Sequence, residues 1–157
     1  INTVRLPDGT RRYDNVNRAR INGFEVQGQK DLTLGNIALS FLANYTFLDH
    51  LNESDNRPLD ALPQSNLTFD MGLTAYGQVR VGFTGIIASD SWWWNTGTST
   101  LLTIPSYFSL DAVLSCSLRH FEPFVRVTNI FNHYFYTEPG FPWRGRYVEF
   151  GLKTGLF

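Results

Sequence analysis

The sequence predicts an all-β fold, an antiparallel up-and-down transmembrane β-barrel wall of about eight strands. Three observations carry this expectation. Apolar and polar residues alternate with period two over most of the chain, and charges avoid one parity. Connections alternate between short and long. Aromatic residues gather at the ends of the long connections.

The strands follow in order. Residues 1–6 form the first, and Pro7-Asp8-Gly9 makes a tight turn into Arg11 and onward. Residues 18–29 alternate less cleanly: Phe24 and Val26 read as lipid-facing, while Arg20 and Asn22 share their parity, so the lower half lies in the membrane. In the run 37–47, Ile37, Leu39, Phe41, Ala43, Tyr45 and Phe47 oppose Ala38, Ser40, Asn44 and Thr46. Leu67, Phe69, Met71, Leu73 and Ala75 then oppose Asn66, Thr68, Asp70, Gly72 and Thr74. Val79, Val81, Phe83 and Ile87 oppose Arg80, Gly82 and Thr84. Phe108, Leu110, Ala112, Leu114, Cys116 and Leu118 oppose Ser109, Asp111, Ser115, Ser117 and Arg119. Val125, Val127 and Phe131 oppose Glu122, Arg126, Thr128 and Asn132. The last run sets Val148, Phe150, Leu152 and Leu156 against Glu149, Gly151, Lys153 and Gly155.

Charge placement sharpens the pattern. Asp70, Arg80, Asp111, Arg119, Glu122, Arg126, Glu149 and Lys153 all fall on the polar parity; Arg146 does not, but it sits at a strand start beside a loop. A Lys or Arg facing lipid at the bilayer midplane costs about 2–4 kcal/mol, so strict exclusion from one face is expected. Short turns are expected at 31–35, 77–78 and 119–121, and long loops at 51–64, 93–106 and 138–145. Long loops on one rim and short turns on the other describe an outer-membrane barrel with the long loops outside. Phe47, Trp92, Trp93, Trp94, Tyr107, Phe108, Tyr134, Phe135, Tyr136, Phe141 and Trp143 supply an aromatic girdle at that rim.

Composition agrees. Charged residues are 17% and aromatic residues 15% of 157 residues. A net charge of -1 gives no electrostatic case for nucleic-acid binding. A single Cys116 excludes an internal disulfide framework. No apolar run approaches the roughly 18 residues of a membrane helix, a test that membrane strands escape. A soluble antiparallel sandwich also alternates. Several runs here are longer than the five or six residues usual in soluble strands, which favours the barrel.

Short motifs recur in a fixed order. They are Tyr13-Asp14-Asn15, Ala19-Arg20-Ile21-Asn22-Gly23-Phe24-Glu25, Asn44-Tyr45-Thr46-Phe47-Leu48-Asp49, and Arg57-Pro58-Leu59 with Pro63. Next come Val127-Thr128-Asn129-Ile130-Phe131-Asn132-His133-Tyr134-Phe135-Tyr136, then Gly140-Phe141-Pro142, Gly145-Arg146 and a last strand ending at Phe157. Together they resemble the TonB-dependent outer-membrane receptors over nearly the whole chain. The resemblance implies that residues 1–157 are the C-terminal arc of a plugged barrel of about 22 strands, with the plug absent from this chain. It implies uptake of a scarce solute such as an iron-siderophore, haem or cobalamin, across the outer membrane of a Gram-negative bacterium. Partners would be outer-membrane lipid, the TonB complex acting through the plug, a small-molecule or metal-chelate ligand, and the barrel-assembly machinery. Asn129, Phe131, Tyr134, Tyr136, Gly145, Arg146 and Phe157 would be structural motif residues. Two positions depart from the pattern. Asn132 stands where the family often has Asp. Phe157 lies on the polar parity, which a bulge near Gly151 or Gly155 would correct.

Trp92, Trp93, Trp94, Trp143 and Arg144 are the candidate ligand-binding residues of the outer loops. Adjacent Trp residues on a strand face opposite ways, so at most one or two of the Trp92–94 triplet point to a lumen. Girdle and loop packing is the competing role. Trp143-Arg144-Gly145-Arg146 places guanidiniums beside an aromatic ring, which suits an anionic ligand; a structural loop is the alternative. His50, His120 and His133 have no metal-site spacing, and neither metal nor cofactor is expected. Asp49, Glu53, Asp55 and Asp60 read as a solvated loop. Asp70 and Asp111 are candidates to pair with Arg80 and Arg119 inside the barrel. With no nucleophile elbow and no phosphate loop, an enzyme is not expected. A stand-alone barrel of about eight strands, structural or adhesive, is the alternative function.

Overall fold

The computed structural model describes residues 2–5, 8, 10–14 and 18–154. Its strands are β1 (Asn2–Arg5), β2 (Arg11–Asp14), β3 (Ala19–Leu34), β4 (Ile37–Asn52), β5 (Ser65–Ala75), β6 (Val79–Ala88), β7 (Ser91–Asn95), β8 (Thr100–Ile104), β9 (Tyr107–Cys116), β10 (Phe121–Thr128), β11 (Tyr136–Glu138), β12 (Phe141–Pro142) and β13 (Tyr147–Thr154). One antiparallel sheet of seven strands runs in the order β13-β10-β9-β6-β5-β4-β3. Three separate hairpins, β1–β2, β7–β8 and β11–β12, complete the described strands. The sheet does not close, and its edges are β3 and β13. The expected first strand exists as β1, but it pairs with β2 outside the main sheet.

Register decides which residues share a face. Phe24 pairs with Phe47 and Val26 with Tyr45. Phe41 pairs with Met71, Met71 with Phe83, and Phe83 with Ala112. The expected apolar parity is therefore continuous across the sheet. Among the described residues nothing covers that face: Phe150 is 79% and Leu152 60% exposed, and the buried apolar residues among them are Ala88, Ile104 and Phe135. A soluble sandwich buries one face of each sheet, so this architecture is a single wall with an apolar outside. The opposite face carries Arg126 against Glu149 at 3.4 Å and Lys153 against Glu122 at 3.2 Å. On the same face Phe124 lies over Gly151, and on the outer face Phe69 lies over Gly85. Each glycine leaves the slot that its cross-strand ring fills.

Several expectations need correction. The first short turn is not 31–35: β3 stays paired to Leu34, opposite Ile37, and the turn is Gly35-Asn36. Asp31 and Thr33 are polar because they lie on the inner face, where Asp31 accepts a bond from Gln29 at 3.0 Å. This extension puts Lys30 opposite Phe41 on the outer face, so the exclusion of charge is not strict. Leu118 and Arg119 lie beyond β9, in a turn closed by Leu118 N–H donating to the Phe121 carbonyl at 2.9 Å. Phe131 and Asn132 lie beyond β10, which ends where Asn129 turns to φ 51°. Asp70 does not pair with Arg80. It accepts the Thr84 hydroxyl at 2.7 Å, and Arg80 is about 13 Å further along β6. Asp111 instead accepts the Asn129 backbone N–H at 2.9 Å. The expected loop 93–106 is mostly strand: the β7–β8 hairpin begins at Ser91 and runs to Ile104. β10 and β13 pair without a register shift from Phe121–Thr154 to Thr128–Tyr147, so there is no bulge at Gly151. Gly155 and Phe157 lie outside the described residues.

Candidate functional site

Two constructions occupy the long-loop end. The first is organised by Asn129, which is 1% exposed. Its side-chain amide donates to the carbonyls of His133 at 2.9 Å and Arg144 at 3.2 Å, and its oxygen accepts the His133 N–H at 3.0 Å. One side chain thus ties the segment after β10 to the segment before β13. Asn132 continues the knot, its oxygen accepting the Arg146 N–H at 2.8 Å. A Cβ on Gly145 would meet that oxygen at 3.0 Å, which explains the Gly145-Arg146 pair: the glycine lets the Asn132 side chain pass. Arg146 donates to the Ile130 carbonyl at 3.3 Å. Asn129 and Asn132 both hold positive φ, 51° and 52°, a region that Asn tolerates better than most residues.

The knot supports an aromatic stack. The Tyr107 and Phe135 rings are parallel at 4.3 Å and 4°, and Phe135 stacks on Trp143 at 5.9 Å and 16°. Trp143 N–H donates to the Phe135 carbonyl at 2.9 Å. These rings overhang the inner face and, with Arg144, Asp111, Ser109, Thr128, Thr84 and Tyr147 among others, line a cleft of 640 Å³. The expected girdle therefore divides in two. Phe108 with Phe131, at 5.6 Å, and Phe24 with Phe47, at 5.7 Å, sit on the outer face. Tyr107, Phe135 and Trp143 sit within. Tyr134 and Tyr136 stand edge to face at 5.1 Å, with the Tyr136 hydroxyl donating to that of Tyr134 at 2.9 Å.

The second construction clamps the loop 53–64 to the β7–β8 hairpin. Asp60 accepts from Arg57 Nη1 at 2.8 Å and from the Trp94 backbone N–H at 2.9 Å. Ala61 N–H donates to the Trp92 carbonyl at 2.7 Å. Residues 60–61 thereby cover the free edge of β7, as a further strand would. The Arg57 guanidinium lies 5.1 Å from the Trp94 ring centroid. Below it, His50 is buried, its Nδ1 accepting the Leu59 N–H at 3.1 Å and its ring 6.5 Å from that of Trp92. Trp92 and Trp94 thus serve the clamp, and Trp93, between them, lies on the other parity of β7. None of Trp92, Trp93 and Trp94 lines the 640 Å³ cleft.

Of the five candidate ligand residues, only Trp143 and Arg144 share the cleft. Sequence reasoning missed Asp111 and Thr128 as its floor. It placed Tyr107 and Phe135 in the lipid girdle, although the parity of Tyr107 beside Phe108 already carried the signal. Among the described residues, no group of three or more His, Cys, Asp and Glu side chains is arranged to hold a metal ion.

No curated protein matches the sequence. Among solved structures, the ferripyoverdine receptor of the Pseudomonas aeruginosa outer membrane, bound to ferripyoverdine, is similar with a TM-score of 0.70 and 21% identity, over 85% of this chain and 19% of that one. The FpvAI–pyocin S2 complex gives the same TM-score, identity and coverage. The siderophore receptor PiuA from Acinetobacter baumannii is similar with a TM-score of 0.59 and 17% identity, over 94% of this chain and 22% of that one. The chain thus spans about a fifth of the length of these structures, and the likeness establishes the fold. The sequence itself matches the family described as TonB dependent receptor-like, beta-barrel, over residues 1–130, and on that match the chain belongs to the TonB-dependent receptor β-barrel family.

Proposed function

We propose that this chain forms the wall and outer loops of the C-terminal part of a TonB-dependent transporter that takes up a ferric siderophore across the outer membrane of a Gram-negative bacterium. In this reading the remaining barrel strands and the plug belong to a longer protein. The TonB complex acts through that plug, and the barrel-assembly machinery inserts the whole. The 640 Å³ cleft carries the proposal. It opens on the inner face at the long-loop end, brings Arg144 beside a three-ring aromatic stack, and suits a bulky anionic chelate. The receptors similar to it are described as siderophore receptors, which favours that ligand class over haem or cobalamin.

The test is a titration of the full-length receptor with ferric hydroxamate and ferric catecholate chelates, followed by tryptophan fluorescence. Trp143→Ala and Arg144→Ala should each weaken the best chelate by about tenfold, the loss expected for a central anchor. If the two variants bind every chelate as the parent does, this cleft is not the ligand site.

A further inference from the structure

Lys30 breaks the pattern of the membrane-facing wall. It pairs with Phe41, on the face that holds Phe24, Val26, Leu32 and Leu34. From the level of Phe24 down to the short-turn rim, no other described residue on that face is Asp, Glu, Lys or Arg. Its neighbours there are Phe41, Gly28 and Leu32, none with a side-chain acceptor for an ammonium group. The carboxylate adjacent in sequence, Asp31, projects to the inner face and is engaged by Gln29. Gly28 has open space where a side chain would stand, so the wall is notched beside the lysine.

Depth sets what can reach it. Lys30 stands four residues from Leu34, the last residue of β3, about 13 Å along the strand. At a tilt of about 40° this is about 10 Å along the membrane normal. A lysine stem extends roughly 6 Å and carries its charge toward the nearest polar layer. The remaining gap, about 4 Å, is closed when a headgroup sinks and the bilayer thins locally, the usual response to a charge in hydrocarbon. The anion at that level on the short-turn side is a phospholipid phosphate.

We infer that Lys30 holds the phosphate of a phospholipid from the short-turn leaflet and so makes a lipid-binding site on the outside of the barrel. The site rests on the membrane-spanning reading of the sheet but not on any ligand of the cleft. A carboxylate on the strand that pairs with the open edge of β3 is the competing partner.

The experiment uses the full-length receptor in detergent, with bound lipid counted by native mass spectrometry. The probes are phosphatidylglycerol and diacylglycerol with the same acyl chains, with inorganic phosphate as a competitor. The parent and Lys30→Arg should retain phosphatidylglycerol about fivefold more strongly than Lys30→Met, the factor expected of one cation near an anionic headgroup. Diacylglycerol should not distinguish the three, and inorganic phosphate should not displace the lipid. Equal phosphatidylglycerol retention by Lys30→Met and the parent would overturn the site and point to a protein carboxylate. Equal retention of diacylglycerol and phosphatidylglycerol by the parent would overturn it too, because the phosphate would then contribute nothing. Chelate binding is read separately, so this site and the transport reading fail independently.

Discussion

Replacing Asp60 with alanine should release the β7–β8 hairpin from the loop 53–64. One carboxylate oxygen accepts from both Arg57 Nη1, at 2.8 Å, and the Trp94 N–H, at 2.9 Å. Without it, the Trp94 N–H has no acceptor at the β7 edge. The Arg57 side chain, 11% exposed, keeps only Asp55 at 3.3 Å and the Trp94 ring face. Breaking a fully buried pair costs about 3–5 kcal/mol. Asp60 is 24% exposed on its side chain, so water replaces part of what is lost and about 2–3 kcal/mol remains. Hydrogen exchange on the full-length receptor, followed over residues 91–104, reads this directly. Opening should become roughly 30- to 150-fold easier, at 1.36 kcal/mol per tenfold, while amides of the β4–β5 pair keep their protection. Asp60→Asn retains an acceptor for Trp94 and should fall between. Unchanged exchange in the hairpin would refute the clamp, and an equal loss in β4–β5 would show that Asp60 acts on the whole sheet instead.

Other consequences are as specific. Asn129→Ala removes bonds to His133 and Arg144 from a buried residue and should cost about 2–4 kcal/mol; a lower thermal midpoint of the heat-modifiable band on a gel measures it. Gly145→Ala places a Cβ 3.0 Å from the Asn132 oxygen and should cost about 1 kcal/mol, a loss that Asn132→Gly in the same chain should largely mask in a double-mutant cycle. Asp8 accepts the hydroxyl and the N–H of Thr10, and these bonds hold its carboxyl below the usual 3.8. The turn it makes is therefore complete at neutral pH and is lost only as pH falls through that lowered value; an NMR titration midpoint at or above 3.8 would contradict it.

The sheet was legible because two independent demands act on each strand residue. From Ile37 to Phe47 the odd positions of β4 are apolar and the inner face tolerates polarity at even positions, so this run read correctly without a structure. The same logic misled at Asp31 and Thr33. Polar residues near a strand end look like a turn unless their parity is checked, and that error hid Lys30. The candidate site was only half visible. Trp143 and Arg144 stand out by type, whereas Asp111 and Thr128 are ordinary inner-face residues until the β10–β13 connection folds over them. The hub role of Asn129 was carried by family resemblance alone, since a bond from residue 129 to residue 144 leaves no periodic trace. The clamp residue Asp60 read as part of a solvated loop, and Arg57 only as part of a loop motif, because their partner, the β7 edge, lies more than thirty residues away.

The central claim is that the sheet is a membrane wall with lipid on one face and the barrel interior on the other. Spin labels placed singly at residues 37–44 of the full-length receptor, with Cys116 replaced and the protein in bilayers, test it most directly. Oxygen, which partitions into lipid, should broaden labels at Ile37, Leu39, Phe41 and Ala43, and a water-soluble nickel chelate should favour Ala38, Ser40 and Asn44. An accessibility profile without period two, or with both reagents excluded from the odd positions, would contradict the wall and return the chain to a soluble or protein-covered sheet.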